Sequence, residues 1–140
     1  MKRRKQFLIA FLLTALSFLC SGRAAGAAAM GTDAQLDDLV ITLLMPSISE
    51  AAGSFYEPYL TIRPTVAPYY ESKITEIRGG GSHYAVTVEV LPYVGPHISV
   101  GKDRITLDVR QYAVSVEHYE HLESHVLPQH LQSLLKKPLP

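Results

Sequence analysis

The chain has 140 residues, 13 basic and 13 acidic side chains, and therefore no formal net charge. It carries one cysteine and no tryptophan, so a disulfide scaffold is excluded. Its length suits one domain and is short for two.

The first elements in chain order are those of a secretory signal peptide. Lys2, Arg3, Arg4 and Lys5 make a basic start; Phe7 to Leu19 follow, with only Thr14 and Ser17 polar; Ala24 to Ala29 is a run of small residues around Gly26. The apolar run falls short of the roughly 20 residues of a membrane-spanning helix. A-x-A patterns allow cleavage after Ala27 or Ala29, and we place it after Ala29. A lipid anchor on Cys20 is the weaker reading, because Leu19 stands where that modification wants Gly, Ala or Ser. Residues 1–29 are thus expected to be signal, 30–119 a single domain, and 120–140 a C-terminal extension. Removing the signal takes five basic residues and the cysteine, leaving 8 basic against 13 acidic side chains. A mildly acidic, cysteine-free domain excludes thiol chemistry and disfavours nucleic acid. The expected location is secreted or extracytoplasmic, with membrane contact only through the signal before cleavage.

Thr32-Asp33-Ala34-Gln35 has the form of a capping box, with Asp37 and Asp38 near the positive end of a helix dipole. Behind it Leu36, Leu39, Val40, Leu43, Leu44, Ile48, Ala51, Ala52, Phe55 and Tyr59 keep a helical spacing. Pro46 removes one hydrogen bond and crowds the Thr42 carbonyl, which predicts a kink in one helix that ends near Glu57-Pro58. Thr61 to Pro68 reads as an extended connector.

Four strands follow. Tyr70 to Arg78 is the first, and the opposite parity of Ile74 and Ile77 predicts a bulge. After the loop Gly79 to Ser82, Tyr84, Val86, Val88 and Val90 share one face of the second. Pro92 to Gly101 reads as a loop. The third sets Ile105, Leu107 and Val109 on one face, with the charges Asp103, Asp108 and Arg110 expected in solvent. The fourth sets Tyr112, Val114, Val116 and His118 on one face, away from Tyr119. With Arg110-Gln111 as the turn, Val109 would oppose Tyr112, Leu107 would oppose Val114, and Ile105 would oppose Val116. The strand pattern ends near Glu120, and Pro128 to Lys137 suits a short helix. The predicted fold is α+β: a kinked N-terminal helix packed on a curved four-stranded antiparallel β-meander, with a short C-terminal helix or tail. The expected core is Leu36, Val40, Leu43, Leu44, Phe55, Val86, Val88, Leu107, Val114 and Val116.

The helix running through its proline to Tyr56, then Lys73-Ile74-Thr75-Glu76-Ile77, Gly95-Pro96-His97 and Asp103 to Val109, together resemble the DUF3888 family over roughly residues 37–118. The resemblance implies a small exported protein of spore-forming Firmicutes with no assigned activity, and it transfers no site residues.

Two clusters are candidates for chemistry. His118, His121, His125 and His130 lie among Glu117, Glu120 and Glu123. On a helix, His118, His121 and His125 would project within about 60° of one another, as zinc or copper ligands do. His121-Leu122-Glu123-Ser124-His125 differs from the H-E-x-x-H motif, because Glu123 would point to the far side of that helix. The bland alternative is a solvated, histidine-rich tail. Tyr56, Tyr59, Tyr69 and Tyr70 bracket the connector and suit the wall of a ligand groove; alternatively they close the end of a small core. No G-x-S-x-G elbow or phosphate loop is present.

The leading functional reading is a non-enzymatic cell-envelope or extracellular interaction protein, with a protein or cell-wall partner and no cofactor. Metal binding through residues 118–130 is the alternative. A small hydrolase or isomerase with a polar cavity between helix and sheet is the third.

Overall fold

The computed structural model describes residues 29–68 and 70–140. By packing, the chain divides into residues 1–34 and 35–140. The first is described only as the helical start from Ala29, so the predicted signal segment lies outside the described residues up to position 28. The second holds the sheet and the core.

Helix α1 runs over Ala29–Tyr56 and continues without interruption through Pro46. Thr42 and Pro46 are both exposed, so water can take the carbonyl that proline leaves unpaired. Because the helix is already formed at Ala29, Thr32 sits inside it and is not an N-cap, and Asp37 and Asp38 lie beyond the first turn. The buried stripe is Ile41, Leu44, Ile48, Ala52 and Tyr56, in steps of three and four residues. Over Asp33–Tyr56 the helix has the length and mean hydropathy, 1.3, of a membrane span; the buried stripe is what a core helix of this composition shows.

Four strands form one antiparallel sheet: β1 Lys73–Gly80 and β2 His83–Val90, then β5 Gly101–Arg110 and β6 Ala113–Ser124. Their order is β1-β2-β5-β6. The expected loop between β2 and β5 contains a two-stranded ribbon of its own, β3 Tyr93–Val94 and β4 Ile98–Ser99. The expected bulge in β1 is present: Ile74 pairs with Val88, Glu76 with Thr87, and Thr75 is the extra residue. That returns Ile74 and Ile77 to one face.

The last hairpin turns at Gln111-Tyr112, one residue later than expected. Val109 therefore opposes Val114 and Leu107 opposes Val116. The apolar residues still share a face, because this register differs by two residues on β6 and the side-chain period is two. A bulge at Glu117 then reverses the parity, so Tyr119 opposes Ile105 while His118 moves to the outer face opposite Thr106. The strand also runs past Glu120 to Ser124. After it, Gln129–Leu134 forms a 3-10 helix, and Leu60 bridges Leu135.

Two apolar clusters result. Leu44, Ile48, Ala52, Val86, Val88, Val90, Ile105 and Leu107 fill the interface between α1 and the sheet. Tyr56, Leu60, Val94, Val100 and Leu127 form the second, at the C-terminal end of α1. Four expected core residues are outside it: Leu36 is 56% exposed, Leu43 69%, Val114 39% and Val116 42%. Residues 33–39 of α1 are exposed, and the buried stripe of the helix packs with β2 and β5, leaving Val114 and Val116 of β6 partly uncovered.

Candidate active site: a buried carboxylate, an imidazole and a serine

β5 alternates strictly, so Gly101, Asp103, Ile105 and Leu107 all face α1. Asp103 thus shares its face with the core and is fully buried, not solvent-exposed as its charge suggested. A buried carboxylate is costly unless it is paired and hydrogen-bonded. Its direct cross-strand partner is His121, whose Nδ1 lies 2.6 Å from Asp103 Oδ1. From the end of α1, Tyr56 Oη donates to the same oxygen at 3.4 Å. On the far side of the ring, His121 Nε2 is 2.8 Å from Ser124 Oγ.

His121 and Ser124 are three residues apart, and on a regular strand they would face opposite ways. A second bulge prevents this. Asp103 pairs with His121, Lys102 with Glu123 and Gly101 with Ser124, so Leu122 is the extra residue. Gly101 is needed at the centre of the arrangement. A Cβ there would lie 2.5 Å from Tyr56 Oη, 2.5 Å from the Glu123 carbonyl oxygen and 2.9 Å from His121 Cε1. Phe55 stacks on the imidazole with ring centroids 5.1 Å apart, and on Tyr119 at 4.8 Å.

Burial pushes the Asp103 carboxyl above the usual carboxylate range, and the neighbouring His121, Tyr119 and Tyr56 pull it back. The Tyr56 and Tyr119 phenols are pushed up, first by burial and then by the Asp103 charge, which keeps both as neutral O–H groups. With Asp103 ionised, Nδ1 carries the hydrogen that bonds to Oδ1, and the Nε2 lone pair is turned towards Ser124. Carboxylate to Nδ1 and Nε2 to hydroxyl is the connectivity that activates a serine nucleophile. The N–H after the serine, on His125, is donated to Val100 O at 3.0 Å. It is therefore not available as an oxyanion donor.

Of the histidines considered as metal ligands, only His121 is in this constellation. His118 is on the opposite face of β6. His125 meets Ser99 Oγ at 3.0 Å and Glu123 at 3.6 Å. The segment is a strand, with alternating sides, and not the helix that would have gathered the three. Among the described residues no group of three or more His, Cys, Asp or Glu side chains is placed to hold a metal ion. The tyrosines are similarly divided. Tyr56 belongs to the buried site. Tyr59 is half-buried under Lys137, whose Nζ is 4.4 Å from the ring centroid. Tyr70 packs with Tyr93 and His97 and donates to the His97 carbonyl at 3.1 Å. Tyr69 lies outside the described residues.

Asp103 and Ser124 were missed from sequence. Asp103 had a legible signal, since it has the same parity as Ile105 and Leu107; Ser124 had none, because its facing depends on the Leu122 bulge.

A second feature is apolar. At the open end of the helix–sheet layer, Val40, Leu43, Ile77, Tyr84, Val109 and Val114 line a cleft of about 390 Å³.

The family described as "Protein of unknown function (DUF3888)" matches residues 36–123. The chain belongs to this family. The DUF3888 match contains Tyr56, Gly101, Asp103 and His121 and stops one residue short of Ser124. No curated protein and no solved structure matches the chain. What the DUF3888 chain does is therefore argued from its own site.

Proposed function

We propose that this is an exported acyl hydrolase that uses Ser124 as nucleophile. The observation that supports it is the two-contact relay, Asp103 Oδ1 to His121 Nδ1 and His121 Nε2 to Ser124 Oγ, ending on an exposed serine. Export rests on the order of charge and hydropathy in residues 2–29. The enzymatic reading is preferred to the non-enzymatic one because the buried Asp103 is paired to an imidazole whose second nitrogen meets a serine hydroxyl. The polar site lies beyond the apolar helix–sheet interface and not in a cavity within it.

In the reaction, Ser124 Oγ adds to the carbonyl carbon of an ester while its proton passes to His121 Nε2. The carbon–oxygen bond to the alcohol then breaks, and His121 returns the proton to the departing oxygen. Water adds to the acyl-serine in the same way, giving its proton to His121; the Oγ–carbon bond breaks and Ser124 recovers that proton. The net change is ester plus water to acid plus alcohol. An absent oxyanion donor costs on the order of 10²–10³ in rate, so the His125 N–H commitment marks this as a slow centre. Covalent capture is the suitable test. Incubation with a fluorophosphonate should leave one adduct, on Ser124, that is lost in Ser124→Ala and His121→Gln. An unmodified Ser124 after prolonged incubation would rule the reading out.

A second reading is favoured by the apolar cleft. Large exposed apolar patches mark binding sites, and β6 is an edge strand with Val114 and Val116 uncovered. An extended peptide adding to β6 would cover both. Partner recovery from culture supernatant and cell wall by the wild-type domain, but not by Val114→Lys/Val116→Lys, tests it; equal recovery by both would end it.

A further inference from the structure

One contact at the serine itself is unexplained: Ser124 Oγ donates to the main-chain oxygen of Pro140. A hydroxyl has one hydrogen to give. While that hydrogen is held by Pro140 O it cannot be passed to His121 Nε2, although the ring nitrogen lies only 2.8 Å from Oγ.

The segment that brings Pro140 there is anchored at several points. Thr61 N–H donates to Leu134 O at 2.8 Å, and Lys136 N–H donates to Tyr59 O at 2.8 Å, which closes the isolated antiparallel bridge between Leu60 and Leu135. Lys136 Nζ caps the Glu57 carbonyl at the end of α1, at 2.9 Å. Lys137 sits over the Tyr59 ring. Leu139 packs on the second apolar cluster, which includes Tyr56 of the site.

We infer that residues 136–140 are an inhibitory strap that occupies the Ser124 site and withdraws the serine proton from the His121 relay. This rests on the acyl-hydrolase reading of the same site. The strap also indicates the substrate class. It sets a main-chain oxygen beside the nucleophile and, one residue before it, an aliphatic side chain packed against the second apolar cluster. The matching acyl donor is a peptidyl group with an aliphatic residue at the position preceding the reacting carbonyl.

The test is the rate of fluorophosphonate labelling of the full chain, wild type against Leu139→Asp. A charge against the apolar cluster should release the strap and raise the rate at least tenfold, while Leu139→Met, which still packs there, should keep the wild-type rate. Acetyl-Leu-Pro-amide added in trans should slow the Leu139→Asp variant back towards wild type. Labelling of Ser124 at equal rates in wild type and Leu139→Asp, with both folded by circular dichroism, would overturn the strap and leave the nucleophile standing. Absence of labelling in every form would remove the hydrolase reading and the strap with it.

Discussion

Asp103 and His121 face one another directly across the β5–β6 ladder, with Oδ1 2.6 Å from Nδ1. Directly opposed positions bring Cβ atoms within about 5 Å, so the pair needs no unusual chain path to meet. The pairing also makes the imidazole's second nitrogen point away from the core, towards the exposed Ser124.

Asp103→Asn keeps the shape and removes the charge. Removing one partner of a buried pair is destabilising, by about 3–5 kcal/mol, and loss of the orienting charge lowers serine activation by on the order of 10³–10⁴-fold. The urea midpoint should therefore fall, and labelling of Ser124 should fall far more steeply than the folded fraction. If Asp103 is only a structural latch, labelling falls no further than the folded fraction.

Gly101→Ala places a methyl group against Tyr56 Oη, the Glu123 carbonyl and the His121 ring. Overpacking of this kind costs about 1–3 kcal/mol. Tyr56→Phe removes one of the three obstructing atoms, so the double variant should recover part of that loss. A double-mutant cycle by urea denaturation measures the coupling.

Acid stability should depend on Glu89 on the outer face. Its carboxylate is held by Arg104 at 2.9 Å and Lys102 at 3.0 Å, with Lys73 at 3.7 Å. The hydrogen bonds from Arg104 and Lys102 lower its pKa from 4.5 to about 2. A carboxyl lowered in the folded state binds fewer protons there than when unfolded. Its contribution is therefore full above about pH 4.5 and lost as pH falls towards about 2, and Glu89→Gln should flatten the denaturation midpoint over that window. Asp103 has the opposite sign: raised mainly by burial, it favours the folded state less as pH rises out of the usual carboxylate range.

Buried and exposed leucines should respond differently to truncation. Leu44 and Leu107 are buried in the main cluster, so each change to Ala should cost about 2–5 kcal/mol. Leu36 and Leu43 are more than half exposed, and their changes to Ala should stay within about 0.5 kcal/mol. Thermal denaturation of the four variants checks the contrast.

Much of the fold was legible because it depends on local periods. The alternation of Tyr84, Val86, Val88 and Val90 and the parity break between Ile74 and Ile77 specified a strand and a bulge before any partner was known. The helix was legible as a helix, but its buried side was not. Apolar residues surround α1 broadly, and the sheet covers only the stripe through Ile41, Leu44, Ile48, Ala52 and Tyr56. Tyr56 and His121 were singled out for a groove wall and a metal site, and they meet in a different arrangement.

The sequence by itself determined the layout of one helix and four strands, since side-chain periodicity is a property of consecutive residues. It also marked the acidic, cysteine-free character of the chain beyond residue 29. Only the tertiary structure decided the site. The bulges at Glu117 and Leu122 arise where β6 is fitted to β5, and each reverses which side chains point inward. Tyr56 and Asp103 are 47 residues apart, and their meeting is fixed by how the end of α1 docks on the sheet, which no local pattern records.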